Sequence, residues 1–414
     1  MILHVACLPF PSHQGTQAAL DAMLRAWSTA GHPADLLTYA HGAYTLDAPY
    51  EIHRAPDFPK VRSLRSGPSW GKVALDLGCV ASTRALAHRL RPRAIVAHHI
   101  EAAVTSLAAA VAPVYYLAHT SLLHELPVYF PQLASGLVGA IGHAAERWVC
   151  GRAASVAAVA PSLADLLPNA RYVPVPWPRS VDRVPKDEAR AALELPSDAR
   201  VCLYAGNLDR YQGWEHLIDA IARLRRIDSR ARLLIATESD TAAARRAARA
   251  LDLADAVDFR GLSSERARMH AHAAADVAWV PRRSKGGLPI KMLDAFSRQV
   301  PVVAMERATA ALPVVDSCAL VPNDNPDALA TSAARLFDDV EASEELCQRA
   351  SEYLASHHSP RAYVDAVQDW LGAASTTQGP AKQRVQRPRA ARELQARRAR
   401  PRCTSDSRRA HRTA

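Results

Sequence analysis

VCLYAGNLDRYQGWEHLIDAI (201–221), VDFRGL (257–262) and DVAWVPRRSKGGLPIKMLDAFSRQVPVVA (276–304) decide the fold. In each, a short apolar run is followed by a turn containing glycine or proline. Val201 to Tyr204 is continuously apolar, as a strand covered on both faces must be. Leu217, Ile221 and Leu224 then recur at helical spacing on one face. Strands are expected at Arg232–Ala236, Val257–Arg260, Val277–Val280 and Pro301–Ala304, with a helix starting near Ile290. Strand and helix in alternation indicate a parallel sheet covered by helices.

Working outward, the first half repeats the pattern. Ile2 to Leu8 is an apolar strand, and a helix follows with Leu20, Met23, Leu24 and Trp27 on one face. Gly31 stops that helix. Asp35–Tyr39, Arg93–Ala97, Pro113–Ala118 and Ser155–Ala160 read as further strands. The proline-rich VPVPWPRSVDRVP (173–185) reads as a connection between domains. Pro360–Gly372 reads as an amphipathic helix with Tyr363, Val367 and Trp370 on one side. The 414 residues suit two domains at roughly 150 residues each. The expected organisation is a Rossmann-like domain over 1–176, a linker over 177–196, a second such domain over 197–358, a closing helix over 359–372 and a basic tail over 373–414. The fold class is α/β, with two facing Rossmann-like domains and a cleft between them.

The formal net charge is +10, but twelve of the 51 Lys and Arg and two of the 41 acids lie from Thr376 to the end. The rest of the chain carries 39 of each and is neutral. A nucleic-acid-binding body should carry a basic face of its own, so no specific nucleic acid is expected. The tail is nearly without large apolar residues and reads as solvated or disordered, or as a contact for anionic lipid or nucleic acid. The seven cysteines include no C-x-x-C pair, which excludes a zinc cluster or disulfide framework and suits the cytoplasm. No apolar run reaches the length of a membrane span.

The quoted pieces, in their order and spacing, resemble the retaining glycosyltransferases of family four, which have the B-type fold. A strand ending in Ala-Gly, a helix opened by Gly-Trp-Glu, a Phe-Arg-Gly strand end and a closing Pro-Val-Val-Ala carry the resemblance. The loop 11–15, the pair His98–His99 and AHTSL (118–122) agree with it, and it extends over about residues 1–372. It implies transfer of a hexose from a nucleoside diphosphate sugar to a glycan or lipid-linked acceptor, with retention, without a metal or other cofactor, and with peripheral contact at the inner face of a membrane. Inversion stays open on sequence alone.

Physical chemistry adds reasons. A diphosphate is best received at helix N-termini, where free N–H groups and the positive dipole end face it. Gly15, Gly213 and the pair Gly286–Gly287 stand at such starts. Lys291 would lie in the first turn of its helix, beside Met292, where a cation is unfavourable unless it serves an anion. The chain has 45 Arg and six Lys, yet Lys285 and Lys291 fall within one seven-residue stretch. A compact ammonium fits close to a phosphate. Asp294 stands where the family has the glutamate that contacts the donor ribose. The family's other motif glutamate falls on Gly286, and its Arg and Lys fall on Asn207 and Gln212, with Arg210 between them as a substitute. His119 stands where the family has a histidine at the sugar or reacting centre; a buried structural histidine fits the position as well. His98, His99 and Glu101 could orient the acceptor or act as a base, or could cap a helix. Leu122–Val149 is apolar and reads as a helix pair on the core or a lipid-facing acceptor element. The departures at 207, 212 and 286 keep two rivals in view: a sugar-nucleotide epimerase of the same fold, and a degenerate, non-catalytic binding protein.

Overall fold

In the computed structural model, residues 1–376 are described apart from His13, 58–69, Pro131, 181–183, Pro313 and Val315. The expected basic tail lies outside the described residues, as does the centre of the expected linker. Met1–Ala374 form one compact unit.

The first half runs β1 (Ile2–Ala6), α1 (Gly15–Thr29), β2 (Ala34–Thr38), β3 (Glu51–Arg54), α2 (Trp70–Leu90), β4 (Ala94–His98), α3 (His99–Ala109), β5 (Val114–Ala118), α4 (Leu122–Tyr129), α5 (Ser135–Cys150), β6 (Ser155–Ala158), α6 (Pro161–Leu166) and β7 (Arg171–Tyr172). Its seven strands are parallel, in the order β3-β2-β1-β4-β5-β6-β7. The second half runs α7 (Lys186–Ala192), β8 (Arg200–Ala205), α8 (Glu215–Ile227), β9 (Ala231–Ala236), α9 (Ala242–Ala250), β10 (Val257–Arg260), α10 (Glu265–Ala274), β11 (Val277–Val280), α11 (Ile290–Ser297), β12 (Val302–Met305), β13 (Ala319–Val321), α12 (Pro326–Asp338), α13 (Val340–His357) and α14 (Pro360–Thr376). Its six strands are also parallel, in the order β10-β9-β8-β11-β12-β13. These are the two Rossmann-like sheets that the alternating pattern implies.

Both sheets reverse their strand order beside their first strand, between β1 and β4 and between β8 and β11. Ligands of such sheets bind in the crevice beyond the carboxyl ends of the strands at that reversal. The strands are apolar because helices cover both faces: β1, β4, β5, β11 and β12 are buried along their whole length. On α8 the buried residues include Leu217, Ile221 and Leu224, each worth roughly 1.5–3 kcal/mol of burial.

Two connections depart from the sequence reading. The expected linker contains helix α7, opened by Asp187 and Glu188 in its first turn, which complement the helix dipole. Its Arg190 is buried and paired with Asp276 at 2.8 Å. The final helix α14, though it follows the second sheet, packs on the first. Trp370 donates from Nε1 to Ser155 Oγ at 2.9 Å and meets Tyr115 edge-on. The chain is pinned at its crossing, where Trp177 N donates to His358 O at 2.7 Å and His358 Nδ1 bonds Val175 O at 2.7 Å. Burial pushes His358 down to about 4.

Candidate active site

A cleft of about 570 Å³ opens at the carboxyl ends of both sheets. Gly15, the first residue of α1, lies against Ile290, the first residue of α11. A Cβ at position 15 would stand 3.2 Å from the Ile290 Cβ. Two helix N-termini therefore meet at the cleft. Neither first turn holds an acid, and neither N-cap side chain caps its helix. At α11, Ile290 N and Met292 N donate within the turn, to Leu288 O at 3.0 Å and Pro289 O at 2.9 Å; the N–H groups at the start of α1 are left for water or an anion. Gly287 has φ +76°, and a Cβ there would lie 2.8 Å from Thr120 Cγ2 and 3.0 Å from His119 O. Glycine meets both demands of this position: a left-handed backbone and close approach to the opposite domain.

The rim contributed by the first sheet is built of histidines. His98 ends β4, His119 follows β5, and His4 lies within β1. His4 Nδ1 is 3.0 Å from His98 Nε2, and His98 Nδ1 is 3.0 Å from His119 Nε2. His99 stacks on His119 with ring centroids 4.5 Å apart. It is held there at φ +68°, a left-handed conformation that costs a non-glycine residue about 1–2 kcal/mol. Burial lowers all four rings, His4 to about 3 and His98 and His119 well below the usual imidazole range. The rim is thus neutral near pH 7. His99 and His119 line the cleft, whereas His98 stands behind them. His4 went unnoticed in the sequence, although a histidine inside the apolar run ILHVA was a visible signal.

The rim contributed by the second sheet is built of cations. Lys291, in the first turn of α11, donates to Tyr204 Oη at 2.7 Å and to Gln212 Oε1 at 2.9 Å, with its ammonium 3.9 Å from the Tyr204 ring centre. Burial lowers its pKa well below the usual lysine value; the Arg282 charge adds to this and the Asp209 charge opposes it. Arg282, which sequence reasoning passed over as half of an Arg pair, is 8% exposed. It donates to the carbonyls of Gly286 and Gly287, and its Nε is buried without a partner among the described residues. The ion pairs found among the described residues include neither cation. Asn207 and Gln212 also line the cleft, with Gly286, Gly287 and Asp294. Arg210 does not: it is exposed in a single 3-10 turn outside the cleft. Met292 is fully buried in the core beneath α11.

Asp294 is buried. Its Oδ1 accepts from Arg298 Nε at 3.0 Å, and its Oδ2 lies 3.8 Å from Arg268 and 3.7 Å from His272. Burial alone would raise its pKa, but the charges of His272, Arg298 and Arg268 outweigh burial and leave it lowered. His272 is itself pushed down by burial, so the two arginines do most of this near neutral pH. Four further carboxylates line the cleft, Glu101, Glu125, Glu146 and Glu238. Glu125 accepts from Thr120 Oγ1 at 2.6 Å. Glu146 accepts from Ser121 Oγ at 3.0 Å and Leu122 N at 2.8 Å. No group of three or more His, Cys, Asp or Glu among the described residues could hold a metal.

Residues 199–339 match the family model described as glycosyl transferases group 1. No curated protein matches the chain. Among solved structures, sucrose-phosphate synthase from Thermosynechococcus elongatus superposes with a TM-score of 0.73 at 20% identity, covering 96% of this chain and 99% of that one. HepE from Anabaena, in complex with UDP and glucose, gives 0.71 at 16% identity over 90% of this chain and 99% of that one. WaaG, a glycosyltransferase involved in lipopolysaccharide biosynthesis, gives 0.66 at 14% identity over 92% and 100%.

Proposed function

Taking as premise that the chain carries a group 1 glycosyltransferase domain within the B-type transferase fold, we propose that it transfers a hexose from a nucleoside diphosphate sugar to an acceptor hydroxyl. The observation that carries this reading is the pair Lys291 and Arg282. The buried Arg282 and the half-buried Lys291 face a cleft into which two helix N-termini without side-chain caps open, an arrangement suited to a diphosphate. They stand in for the Arg and Lys replaced by Asn207 and Gln212, and Lys291 is bonded to the Gln212 side chain itself. The HepE complexes hold UDP, glucose and UDP-glucose, which supports a uridine diphosphate hexose as the first donor to try.

In this reading Lys291, Arg282 and the N–H groups beside Gly15, Gly286 and Gly287 stabilise the departing diphosphate. Asp294 Oδ2, which lies 3.8 Å from Arg268 and 3.7 Å from His272 and makes no hydrogen bond among the described residues, accepts from the ribose. His119 and His99 face the sugar from the neutral rim. No side chain is assigned as nucleophile. The acceptor hydroxyl attacks on the face that the diphosphate leaves, which gives retention, as the family resemblance implies. The acceptor is a glycan or a lipid-linked one. The exposed stripe Leu137, Ile141 and Trp148 along α5, with Leu133 just before the helix and Arg152 stacked 4.2 Å over Trp148, supports a chain resting on the inner face of a membrane. No helix among the described residues is long and apolar enough to cross one.

The test is a panel of nucleoside diphosphates and their sugars, read by melting temperature and by donor hydrolysis. A binding diphosphate at a hundredfold excess over its Kd should add about 2.7 kcal/mol of stability. Slow hydrolysis of one donor, accelerated by an acceptor, is the expected result. Isomerised sugar without transfer would make the protein an epimerase. Binding without turnover would make it a binding protein, and no melting shift with any diphosphate would overturn the reading.

A further inference from the structure

Three histidines cross the first sheet in single file. His4 lies within β1, His98 at the end of β4 and His119 just beyond β5, and these strands are neighbours in that order. His98 is bonded at both nitrogens, to His4 at one and to His119 at the other, each at 3.0 Å. All three rings are at most 5% exposed. The last nitrogen of the file, His4 Nε2, is buried without a partner among the described residues.

A neutral imidazole has one N–H donor and one lone pair. A file of neutral rings joined by two hydrogen bonds therefore has two proton arrangements, and both bonds must point the same way. If they point inward, His119 donates from Nε2 to His98, His98 donates from Nε2 to His4, and His4 is left with a buried N–H that has no acceptor. If they point outward, His4 donates from Nδ1, His98 donates from Nδ1, and His119 receives at Nε2 and keeps its own proton on Nδ1. The unpartnered atom is then a lone pair. Orphaned buried N–H groups are the rarer case in folded proteins, so the file points outward.

We propose that His98, anchored from behind by His4, is a positioning residue that fixes the ring orientation of His119 and holds the His119 proton on Nδ1. The Nδ1–H is then the donor that His119 can offer to a hydroxyl of the bound sugar, and its Nε2 is occupied. This deepens the reading of the cleft as a sugar-nucleotide site and rests on it for the effect on turnover. The proton positions do not depend on that reading.

The experiment has two arms. In the first, the imidazole nitrogens of the ligand-free full chain are resolved by ¹⁵N–¹H correlation, with His4→Asn, His98→Asn and His119→Asn spectra for assignment. All three rings should carry the proton on Nδ1. A His119 protonated on Nε2 overturns the proposal, whatever the protein does to sugar nucleotides. In the second arm, His98→Leu and His98→Asn are compared. The asparagine amide can donate from the place of Nδ1, and leucine cannot. His98→Leu should lower kcat for donor turnover about three-fold, no more than loss of His119 itself, with the diphosphate Kd changed less than two-fold; His98→Asn should recover most of the loss. Equal turnover in the two variants, with diphosphate binding intact, overturns the proposal. If His98→Leu does not fold, or no donor is turned over, the wild-type proton pattern decides alone.

Discussion

The two domains share one topology, yet their cleft-facing edges have opposite chemistry. The edge beyond β4 and β5 is a file of neutral imidazoles bonded to one another. The edge between β11 and α11 is a pair of cations, one buried and one half-buried, bonded to carbonyls, an amide and a phenol. Burial lowers the pKa values on both sides, but with different results. A histidine so lowered is neutral and still bonds through both nitrogens. A lysine so lowered gains from an anion that restores its proton. In the proposed reading the same fold element, a strand end beside a switch point, recognises hydroxyls on one side and phosphate on the other. The difference lies in which residue type burial acts upon.

Asp294 gives the largest expected effect, because it belongs to the cation side without sharing its character. It is ion-paired with Arg298 and Arg268, whereas the ion pairs found among the described residues include neither Arg282 nor Lys291. Asp294→Asn should cost about 3 kcal/mol of stability, since breaking a buried ion pair strands its partners. The pH dependence follows from the lowered pKa. Above the unfolded value of about 3.9 the wild-type carboxylate contributes its full stabilisation, which is lost as pH falls through the lower folded value. The difference in melting between wild type and variant should therefore be constant near neutrality and shrink below about pH 4. A variant that melts like wild type at pH 7 would mean that the arginines are compensated elsewhere, and the contrast within this rim would fail.

Lys291→Ala comes next and tests the comparison most directly. Diphosphate affinity should weaken by about 1.5–3 kcal/mol, the range for a hydrogen bond to a charged group, with little loss of stability. Lys291→Arg should recover part of this at most, because space beside the ammonium is short, a Cβ at position 206 lying only 3.0 Å from Lys291 Nζ, and a guanidinium is larger. The pH effect has the same sign as that of Asp294, because folding lowers both pKa values, but it falls in the alkaline range. The unfolded chain holds the lysine proton up to about pH 10.4, while the folded chain releases it earlier. The ligand-free wild type should gain stability relative to Lys291→Met as pH rises through that window. Unchanged diphosphate affinity in the alanine variant would leave Arg282 as the phosphate contact.

How legible this was differed between the two rims for physical reasons. The strands were legible because both faces of each parallel sheet are covered, so Val201–Tyr204 and Pro113–Ala118 are continuous apolar runs. Strand β3 is short, partly exposed and polar, as edge strands are, and carries no such run. Lys291 stood out through the scarcity of lysine, and Gly287 through the strand-to-helix turn. Arg282 did not, because an Arg pair in sequence reads as surface, and only the fold buries one member. Arg210 was expected to replace the lost cations because it lies between positions 207 and 212. A 3-10 turn points it outward, and the replacement comes instead from the β11–α11 edge. Cross-strand neighbours such as His4 and His98 are 94 residues apart, and no periodicity within one segment reports them.

His119→Ala should affect turnover and spare binding, the reverse of Lys291→Ala. The loss of one neutral hydrogen bond corresponds to about 1 kcal/mol, or several-fold in kcat, with diphosphate affinity nearly unchanged. Equal losses of kcat and diphosphate affinity would mean that the two rims do not divide the donor between them.

The smallest expected effect concerns residues 377–414. They hold all of the formal excess charge, and the remaining chain is balanced. If the cations that meet the diphosphate are Lys291 and Arg282, the tail's charge has no part in donor turnover, however large it is. Helix α14 packs Tyr363, Val367 and Trp370 against the first sheet and runs to Thr376, so the cut belongs after Thr376. Truncation there should change stability by less than about 0.5 kcal/mol, the usual range for surface changes, and leave donor hydrolysis unaltered. Binding to anionic vesicles should fall and become less sensitive to salt, because that attraction is screened over about 10 Å at 0.1 M ionic strength. Intact melting with donor hydrolysis lost would show that a third set of cations serves the cleft, and the contrast between its two rims would no longer account for the site.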